Sequence, residues 1–511
     1  MNSTSPHPIH VRFWFLLGLL GLITVGLAYG TAVANDAEAY APGKNAPAIV
    51  EMPTSSSTSA LCRFGVNVTA DINNFDTTSL RMGWYLDYAA RANPSLPNGV
   101  EYMPMIRLNQ IWVGGQRTDD YTYSPSGTAL QNAIAGNPGA AWIIGNEPDR
   151  IEVQDDMEPH VYAAAYHELY HLIKTADPTA RIVAGTIVQP TPIRLIYLDM
   201  VLQAHIEQFG RPMPVDAWNI HNFILNEVSC EYDDSNCWGA EVPPGVNANY
   251  GEILTIDDND NMVLYIERIV RFRQWMKDRG YRQVPLYLTE YGILMPSQLG
   301  FPASRVNAFM NNTFDYMMSA QHPELGYPGD NYRLVQNWAW FSIYYPSFNG
   351  DLFNPDPPYN KTAIGQNFAN YTAVIPEEVD LYPWQLSSTS EPHLSNGQPV
   401  TLTLHAKIAN SGNLTEPSGP ALVRFYDGDP QNGGLQIGTD QFVSVAGCGR
   451  TDVATITWPD VPPGAHTVYV WVDPEDDIDE VDISNNLQQF RVLVADPAAF
   501  LPVIKRSLPH P

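Results

Sequence analysis

Two glutamates each follow a short apolar run directly. Glu147 comes after the run Ala141–Asn146, and Glu290 comes after the run Pro285–Thr289. Hydrolysis of a glycosidic bond needs one protonated carboxyl group, which helps the leaving oxygen depart, and one carboxylate, which attacks the sugar or activates water. When two carboxyl groups lie close together, repulsion between their charges separates their pKa values, so that one can be protonated while the other is ionised. A separation of about 5–5.5 Å predicts retention at the anomeric carbon, and about 6.5–9.5 Å predicts inversion.

The alternation of side chains along a strand predicts that both carboxylates point inward. Glu147 shares its face with small residues, which leave room for a ligand. Glu290 shares its face with Leu286 and Leu288, which we expect to fill the space below it. An unpaired buried carboxylate is unfavourable, so a buried salt bridge with Arg107 stays open as the alternative.

Short apolar strands alternate with longer amphipathic stretches from residue 62 onward. The predicted strands are Phe64–Val68, Met82–Tyr88, Tyr102–Leu108, Ala141–Asn146, Ile182–Val188, Val215–Phe223, Pro285–Thr289 and Leu334–Phe341. Apolar spacings of three and four predict helices at Ala163–Thr175, Arg194–Phe209, Met262–Arg279 and Arg305–Ala320. This order predicts an α/β fold, a (β/α)8 TIM barrel. A doubly wound open sheet stays open, because the first two helices look short.

Polar residues stand where the predicted strands finish, which is the end at which such a barrel carries its chemistry. The candidates for substrate binding are Asn67, Asp87, Tyr88, Arg107, Asn146, His221 and Tyr291, beside the two glutamates. Any one of them could be an ordinary transition from strand to loop. Their recurrence at one end of successive strands favours a shared site.

Aromatic residues follow the eighth strand and could supply flat surfaces for sugar rings. Trp338 and Trp340 share one face of the strand, and the aromatic loop Tyr344–Phe353 comes next. We predict that Trp340 forms the floor of the site. Packing in the barrel wall is the alternative, and it applies most to Trp338.

The segment Leu225–Asn261 is long and acidic, and we predict that it lines one side of the cleft. Cys230 and Cys237 lie inside it and are predicted to form a local disulfide. A metal site at these cysteines is disfavoured because no histidine accompanies them. Cys62 and Cys448 could bridge two domains or remain free thiols.

The pieces Trp84–Tyr88, Glu101–Met105, Gly145–Asp149 and Leu288–Tyr291 carry a family resemblance. Residues 62–373 resemble clan A of retaining (β/α)8 glycoside hydrolases. Within that clan they are most similar to the endo-β-1,3-glucanase family that includes wall proteins with an alkali-sensitive linkage. The resemblance implies that Glu147 is the acid/base, that Glu290 is the nucleophile, that Asn146 holds the sugar 2-hydroxyl, and that His221 lies close to the nucleophile.

Helical periodicity ends after Pro376, and a second domain is predicted. Short strands are expected at Pro399–Asn410, Ala421–Tyr426, Leu435–Val445, Thr451–Trp458, His466–Asp473 and Leu487–Val494, which predicts an Ig-like antiparallel β-sandwich. The residues Val472–Pro474 and Ile478–Asn486 resemble the bacterial CARDB modules. The resemblance implies an accessory role, with contact to a cell surface or polymer.

The N-terminus predicts export. His10 and Arg12 precede the apolar run Phe13–Ala28, and Ala32–Ala34 offers a cleavage site. The predicted organisation is a signal peptide at 1–34, a flexible leader at 35–60, the barrel at 61–376, a linker at 377–396, the sandwich at 397–496 and a tail at 497–511. The protein is therefore expected outside the cell or at its surface, and an uncleaved N-terminal anchor is the alternative.

The charge balance limits the kinds of molecule that the protein is expected to bind. With 27 Lys+Arg against 55 Asp+Glu, the formal charge of −28 argues against nucleic acid. We expect a secreted retaining glycosidase that cleaves a polysaccharide without a cofactor and without stable membrane insertion. A non-catalytic glycan-binding or adhesion protein is one alternative. A metal-dependent hydrolase is another, although His221 is the only well-placed histidine and three ligands are usually needed.

Overall fold

A computed structural model describes residues 60–97, 100–151, 154–345, 347–389, 393–394, 398–413 and 420–495. The predicted signal peptide, nearly all of the predicted leader and the tail at 497–511 lie outside these residues. Within them, no helix combines the length and the apolar character that a membrane crossing requires.

The described residues of the first domain form ten strands. They are β1 (Phe64–Asn67), β2 (Trp84–Leu86), β3 (Glu101–Tyr102), β4 (Met105–Val113), β5 (Gln116–Ser124), β6 (Ala141–Ile144), β7 (Arg181–Ile187), β8 (Ala217–His221), β9 (Leu286–Tyr291) and β10 (Asn337–Trp340). They form one sheet in the order β3-β2-β1-β10-β9-β8-β7-β6-β4-β5.

The sheet is a curled parallel barrel. β3 pairs with β2, and β4 pairs with β6. Because only Met103 and Pro104 separate β3 from β4, these two strands together occupy one strand position of the barrel, which we call a stave. β1 pairs with both β2 and β10. Eight staves therefore close on themselves. The predicted (β/α)8 architecture is confirmed, and the open-sheet alternative is wrong.

Among the described residues, six α-helices accompany the staves. They are α1 (Gly127–Gly136), α2 (Pro159–Ala176), α3 (Pro192–Phe209), α4 (Met262–Asp278), α5 (Ala303–Ser319) and α6 (Ala363–Ala373). The four predicted helices correspond to α2–α5. Between β1 and β2 the chain makes only short 3-10 turns, Ile72–Asn74 and Thr78–Leu80. The antiparallel β4–β5 hairpin was not expected.

Two apolar layers hold the barrel. The interior is filled by Trp84, Leu86, Met103, Met105, Ala141, Ile143, Val183, Ala217, Tyr287 and Ala339. A larger layer lies between the strands and the helices and contains Trp142, Trp218, Leu286, Leu288, Trp338 and Trp340. The expectation that Leu286 and Leu288 fill the barrel beneath Glu290 is therefore wrong, because Tyr287 takes the interior position.

The second domain is a sandwich of two sheets. Its strands are β11 (Leu381–Ser388), β12 (His393–Leu394), β13 (Val400–Asn410), β14 (Ala421–Asp427), β15 (Leu435–Val443), β16 (Arg450–Val461), β17 (Gly464–Val472) and β18 (Leu487–Ala495). The sheets have the orders β11-β13-β16 and β12-β18-β17-β14-β15. β11 lies inside the segment predicted as linker, and its pairing with β13 makes it part of the sandwich.

A disulfide joins the two domains. Cys62, just before β1, is bonded to Cys448 in the turn between β15 and β16, although 386 residues separate them. Asn413 of the sandwich also donates to the carbonyl of Pro376 at 2.8 Å. The pairing that the sequence left open is thus a covalent link between domains.

Replacing Cys62 and Cys448 together by serine is expected to lower the free energy of unfolding by about 3–5 kcal/mol. The bond closes a very long loop, and the entropy that a cross-link removes from the unfolded chain grows with loop length. Urea denaturation gives the value. The matched control replaces Cys230 and Cys237, which are only seven residues apart. Equal losses for both pairs would contradict this explanation.

Candidate active site

The chain turns sharply between β6 and Glu147. Gly145 has φ +81 and Glu147 has φ +46, so both lie in the left-handed region. The amide of Glu147 donates to the carbonyl of Thr186 at 3.0 Å, which fixes the turn to β7. The side chain of Glu147 enters the barrel mouth, and the residue is 1% exposed.

A register shift turns Glu290 inward. Ile220 pairs with Leu288, but the next residue, His221, pairs with Glu290, so β9 carries one extra residue at Thr289. Such a bulge breaks the alternation of side chains. The inward direction expected for Glu290 therefore comes from the bulge and not from the parity that predicted it.

His221 connects the two glutamates. Its Nδ1 lies 2.8 Å from Glu147 Oε1, and its Nε2 lies 3.3 Å from Glu290 Oε1. One carboxylate oxygen of each glutamate and one ring nitrogen of His221 all lie within 4.8 Å of one another. This closest approach is compatible with the separation of about 5–5.5 Å between the carboxyl groups of a retaining pair.

The two carboxyl groups have different electrostatic surroundings. Burial raises the pKa of Glu147, but the Arg150 guanidinium at 3.2 Å and the hydrogen bond with His221 outweigh it and lower this pKa to about 2. Burial raises the pKa of Glu290 to about 7, and the charge of Glu147 adds to this effect, while His221 and the Tyr88 side chain oppose it. In the free protein, Glu147 is therefore the more acidic of the two groups.

Two predicted asparagines lie in the mouth. The Asn67 amide donates to the carbonyl of Thr289 at 2.9 Å, so it braces the bulge that carries Glu290. The Asn146 amide donates to Gln154 Oε1 at 3.1 Å. Within the described residues, Oδ1 of each asparagine is buried without a hydrogen-bond partner. Each oxygen could accept a hydrogen bond from a ligand hydroxyl.

Arg107 pairs with residues other than the two glutamates. Its Nε lies 2.6 Å from Asp155 Oδ1, and its Nη2 donates to Gln154 at 3.1 Å. Arg107 is therefore not the salt-bridge partner of either glutamate, and the buried salt bridge that Glu147 does form is with Arg150 at 3.2 Å. The charge of Arg107 still acts on Glu290 at longer range and lowers its pKa slightly.

Three predicted substrate-binding residues face away from the mouth. Asp87 pairs with Arg91 and accepts a hydrogen bond from Tyr102 at 2.7 Å. Tyr291 packs edge-on against Trp340, with the ring centroids 5.4 Å apart, in the layer under the helices. The indole of Trp340 donates to a loop carbonyl at 2.8 Å. The predicted Trp340 floor is wrong because the alternating pattern of β10 directs this ring outward.

A different aromatic cluster lies at the mouth. Tyr88, Phe223, Trp238, Phe341 and Phe348 belong to one apolar group at this end of the barrel. The Phe223 and Phe341 rings meet edge-on with centroids 5.8 Å apart. Sequence reasoning missed Phe341, although the outward direction of its neighbour Trp340 already implies that Phe341 points inward.

The long segment after β8 is tied to the barrel near the site. Cys230 and Cys237 are bonded within it, as expected. Arg194 of α3 is fully buried, and it pairs with Glu227 of this segment at 2.7 Å and with Asp149 at 2.5 Å. Because Asp149 is two residues after Glu147, this ion network joins the segment to the turn that carries the candidate acid.

Comparisons with known proteins give different results for the two domains. Residues 378–490 match the CARDB family, which confirms the resemblance found in the sequence of the sandwich. The chain matches no curated protein in sequence.

Solved structures resemble each domain at low identity. A GH128 subgroup II endo-beta-1,3-glucanase from Sorangium cellulosum is 18% identical over 62% of this chain and 99% of its own, with a TM-score of 0.37. A GH128 subgroup VII oligosaccharide-binding protein from Trichoderma gamsii is 14% identical over 63% and 98%, with a TM-score of 0.35. A CARDB domain from Pyrococcus furiosus is 21% identical over 23% and 90%, with a TM-score of 0.19.

Proposed function

We propose that this protein is a secreted retaining glycoside hydrolase that cleaves a polysaccharide, with β-glucan, and β-1,3-linked glucan first, as the substrate to test. The observation that carries the proposal is the approach of Glu147 and Glu290 to within 4.8 Å, with His221 between them. Burying two carboxyl groups this close together lowers the stability of the fold, and a catalytic role gives a reason for that cost. This favours catalysis over glycan binding alone. The two disulfides support export.

The proposed mechanism is a double displacement. Glu290 attacks the anomeric carbon as the glycosidic bond breaks, and Glu147 gives its proton to the leaving oxygen. A covalent bond then joins the sugar to Glu290. Glu147 next removes a proton from water, whose oxygen attacks the same carbon and releases Glu290. The two inversions give retention.

The mechanism needs a protonated Glu147 and an ionised Glu290, which is the reverse of what their pKa values favour in the free protein. His221 can exchange the two protonation states. In the free protein, the raised pKa of Glu290 and the lowered pKa of Glu147 favour a proton on the Glu290 side of the ring and an ionised Glu147. The Nε2 atom can take the proton from Glu290 while Nδ1 passes its own to Glu147. The number of protons stays constant, and the exchange leaves Glu147 as an acid and Glu290 as a nucleophile.

Activity is expected to fall at alkaline pH as the shared proton is lost, with an apparent pKa near 7. Arg150→Gln removes a positive charge 3.2 Å from Glu147. Loss of this charge favours the protonated form of the glutamate pair, so the fall of activity on the alkaline side of the pH profile should move to higher pH by about one unit. The profile of kcat/KM between pH 4 and 10 measures the shift. An unmoved alkaline limb would mean that the titrating group lies elsewhere.

The function itself is tested on laminarin, mixed-linkage glucan, xylan, mannan and galactan. We expect release of new reducing ends from a β-glucan, and NMR should show that the first product keeps the β configuration. Binding to a glycan without released reducing ends on any substrate would instead support a non-catalytic glycan-binding protein.

A further inference from the structure

Two buried atoms without a hydrogen-bond partner lie side by side in the site. His221 Nε2 and Glu290 Oε1 are 3.3 Å apart, and neither has a hydrogen-bond partner within the part of the chain that the structure describes. The other ring nitrogen, Nδ1, lies 2.8 Å from Glu147 Oε1, so Nε2 is the nitrogen that can bind a ligand on the Glu290 side. A metal ion placed between Nε2 and Oε1 would give both atoms a partner.

The spacing suits a tetrahedral ion. Zn²⁺ takes imidazole nitrogen at about 2.0–2.1 Å and carboxylate oxygen at about 2.0–2.2 Å, so two such ligands at a tetrahedral angle are roughly 3.3–3.5 Å apart. His221 Nε2 and Glu290 Oε1 are 3.3 Å apart. The contact between Nδ1 and Glu147 is the arrangement that orients a metal-binding histidine from behind.

The charge of the site also favours a divalent cation. Glu147 and Glu290 together offer two acidic groups, and among the described residues Arg150, at 3.2 Å from Glu147, is the one arginine or lysine that pairs with either of them. Glu147 keeps its Oε1 on His221 Nδ1 and its Oε2 on Arg150, so it orients the histidine and adds negative charge without binding the ion itself. The half-buried Tyr88 side chain lies beside Glu290, and its hydroxyl group is buried there.

We propose that Zn²⁺ binds between His221 and Glu290 and inhibits the protein by holding the groups that must attack the sugar and move the proton. The binding stands on the geometry of these residues alone, whereas the inhibition rests on the proposed function. The ion is thus a competitor of the substrate and not a cofactor.

The binding test uses the full chain freed of metal with a chelator, and Zn²⁺ alone as the probe. Calorimetry should give one ion per chain at this site, and Glu290→Gln should weaken its binding at least about tenfold. Co²⁺ provides a second readout, because its visible absorption reports tetrahedral coordination and should be lost in the same variant.

The activity test measures glycan hydrolysis with and without Zn²⁺. We expect kcat/KM to fall at least about tenfold at saturating Zn²⁺ and to recover when the chelator is added. A second group of histidines provides the control. His167 and His205 lie 3.1 Å apart between α2 and α3. His167→Gln should leave the inhibition unchanged.

The outcomes separate this proposal from the proposed function. Equal Zn²⁺ binding by the wild type and Glu290→Gln, or no inhibition of an active protein, would overturn the metal site and leave hydrolysis standing. Activation by Zn²⁺ would overturn both and favour a metal-dependent hydrolase. If no glycan is cleaved but the Glu290-dependent binding is measured, the site stands and the proposed function fails.

Discussion

Glu290→Gln is expected to reduce kcat/KM for glycan hydrolysis on the order of 10⁴-fold or more. Glutamine keeps the shape of the side chain but cannot form the covalent bond to the sugar, and removal of a nucleophile carries losses of this size. The measurement is the release of reducing ends from the best substrate of the panel. Circular dichroism and the unfolding midpoint show that the variant is folded.

Asp87→Asn is the matched control for this prediction. Asp87 is also an acid at the end of a barrel strand, but it pairs with Arg91 and Tyr102 and faces away from the mouth. Its activity should stay within about twofold of the wild type. Comparable losses in both variants would show that the assignment of Glu290 is wrong.

Azide distinguishes the roles of the two glutamates. Glu147→Ala should slow hydrolysis by roughly 10²–10⁴-fold, as expected for loss of a general acid/base. Azide should then give a glycosyl azide of retained configuration, because the covalent step still takes place on Glu290. With Glu290→Gly, azide should attack directly and give the inverted product. The reverse pattern would exchange the two roles, in line with the lower pKa of Glu147 in the free protein.

Arg194→Leu is expected to lower the free energy of unfolding by about 3–5 kcal/mol. Arg194 is fully buried, and its loss leaves Asp149 and Glu227 inside the protein without their shared partner. The guanidinium also donates to the carbonyl of Ala240 at 2.7 Å, so the long segment beside the site loses an anchor. Urea denaturation measures the change, and activity should fall as the segment loosens.

Two further variants test whether unpaired charge is the cause. Arg424→Leu breaks ion pairs with Asp440 and Glu475 on the surface of the sandwich, and it should change the stability far less than Arg194→Leu does. Adding Asp149→Asn and Glu227→Gln to Arg194→Leu removes the unpaired charges and should recover part of the loss. Similar stabilities for Arg194→Leu and Arg424→Leu would contradict the explanation.

The barrel could be predicted because its signal is repeated. Apolar strands and amphipathic helices alternate along the chain, and a parallel sheet needs that order. The strand ends placed Asn67, Asn146 and His221 near the glutamates for the same reason. β11 gives no such signal, because Pro383 and a register shift interrupt its alternation, so the sequence predicts a linker there.

The details of the site depend on features that strand parity does not contain. The extra residue at Thr289 turns Glu290 into the mouth, and the outward direction of Trp340 leaves Phe341 in the aromatic cluster at the mouth. The pairing of Cys62 with Cys448 requires the relative position of two domains, which no local pattern encodes.

The most direct test of the central claim is to trap the covalent intermediate. A 2-deoxy-2-fluoro β-glucan oligosaccharide with a good leaving group slows release of the sugar from the enzyme more than its attachment. Mass spectrometry of the digested protein should then find one sugar adduct, on the peptide that contains Glu290. Turnover of the matching β-glucan without any adduct, or an adduct on Glu147, would contradict the account.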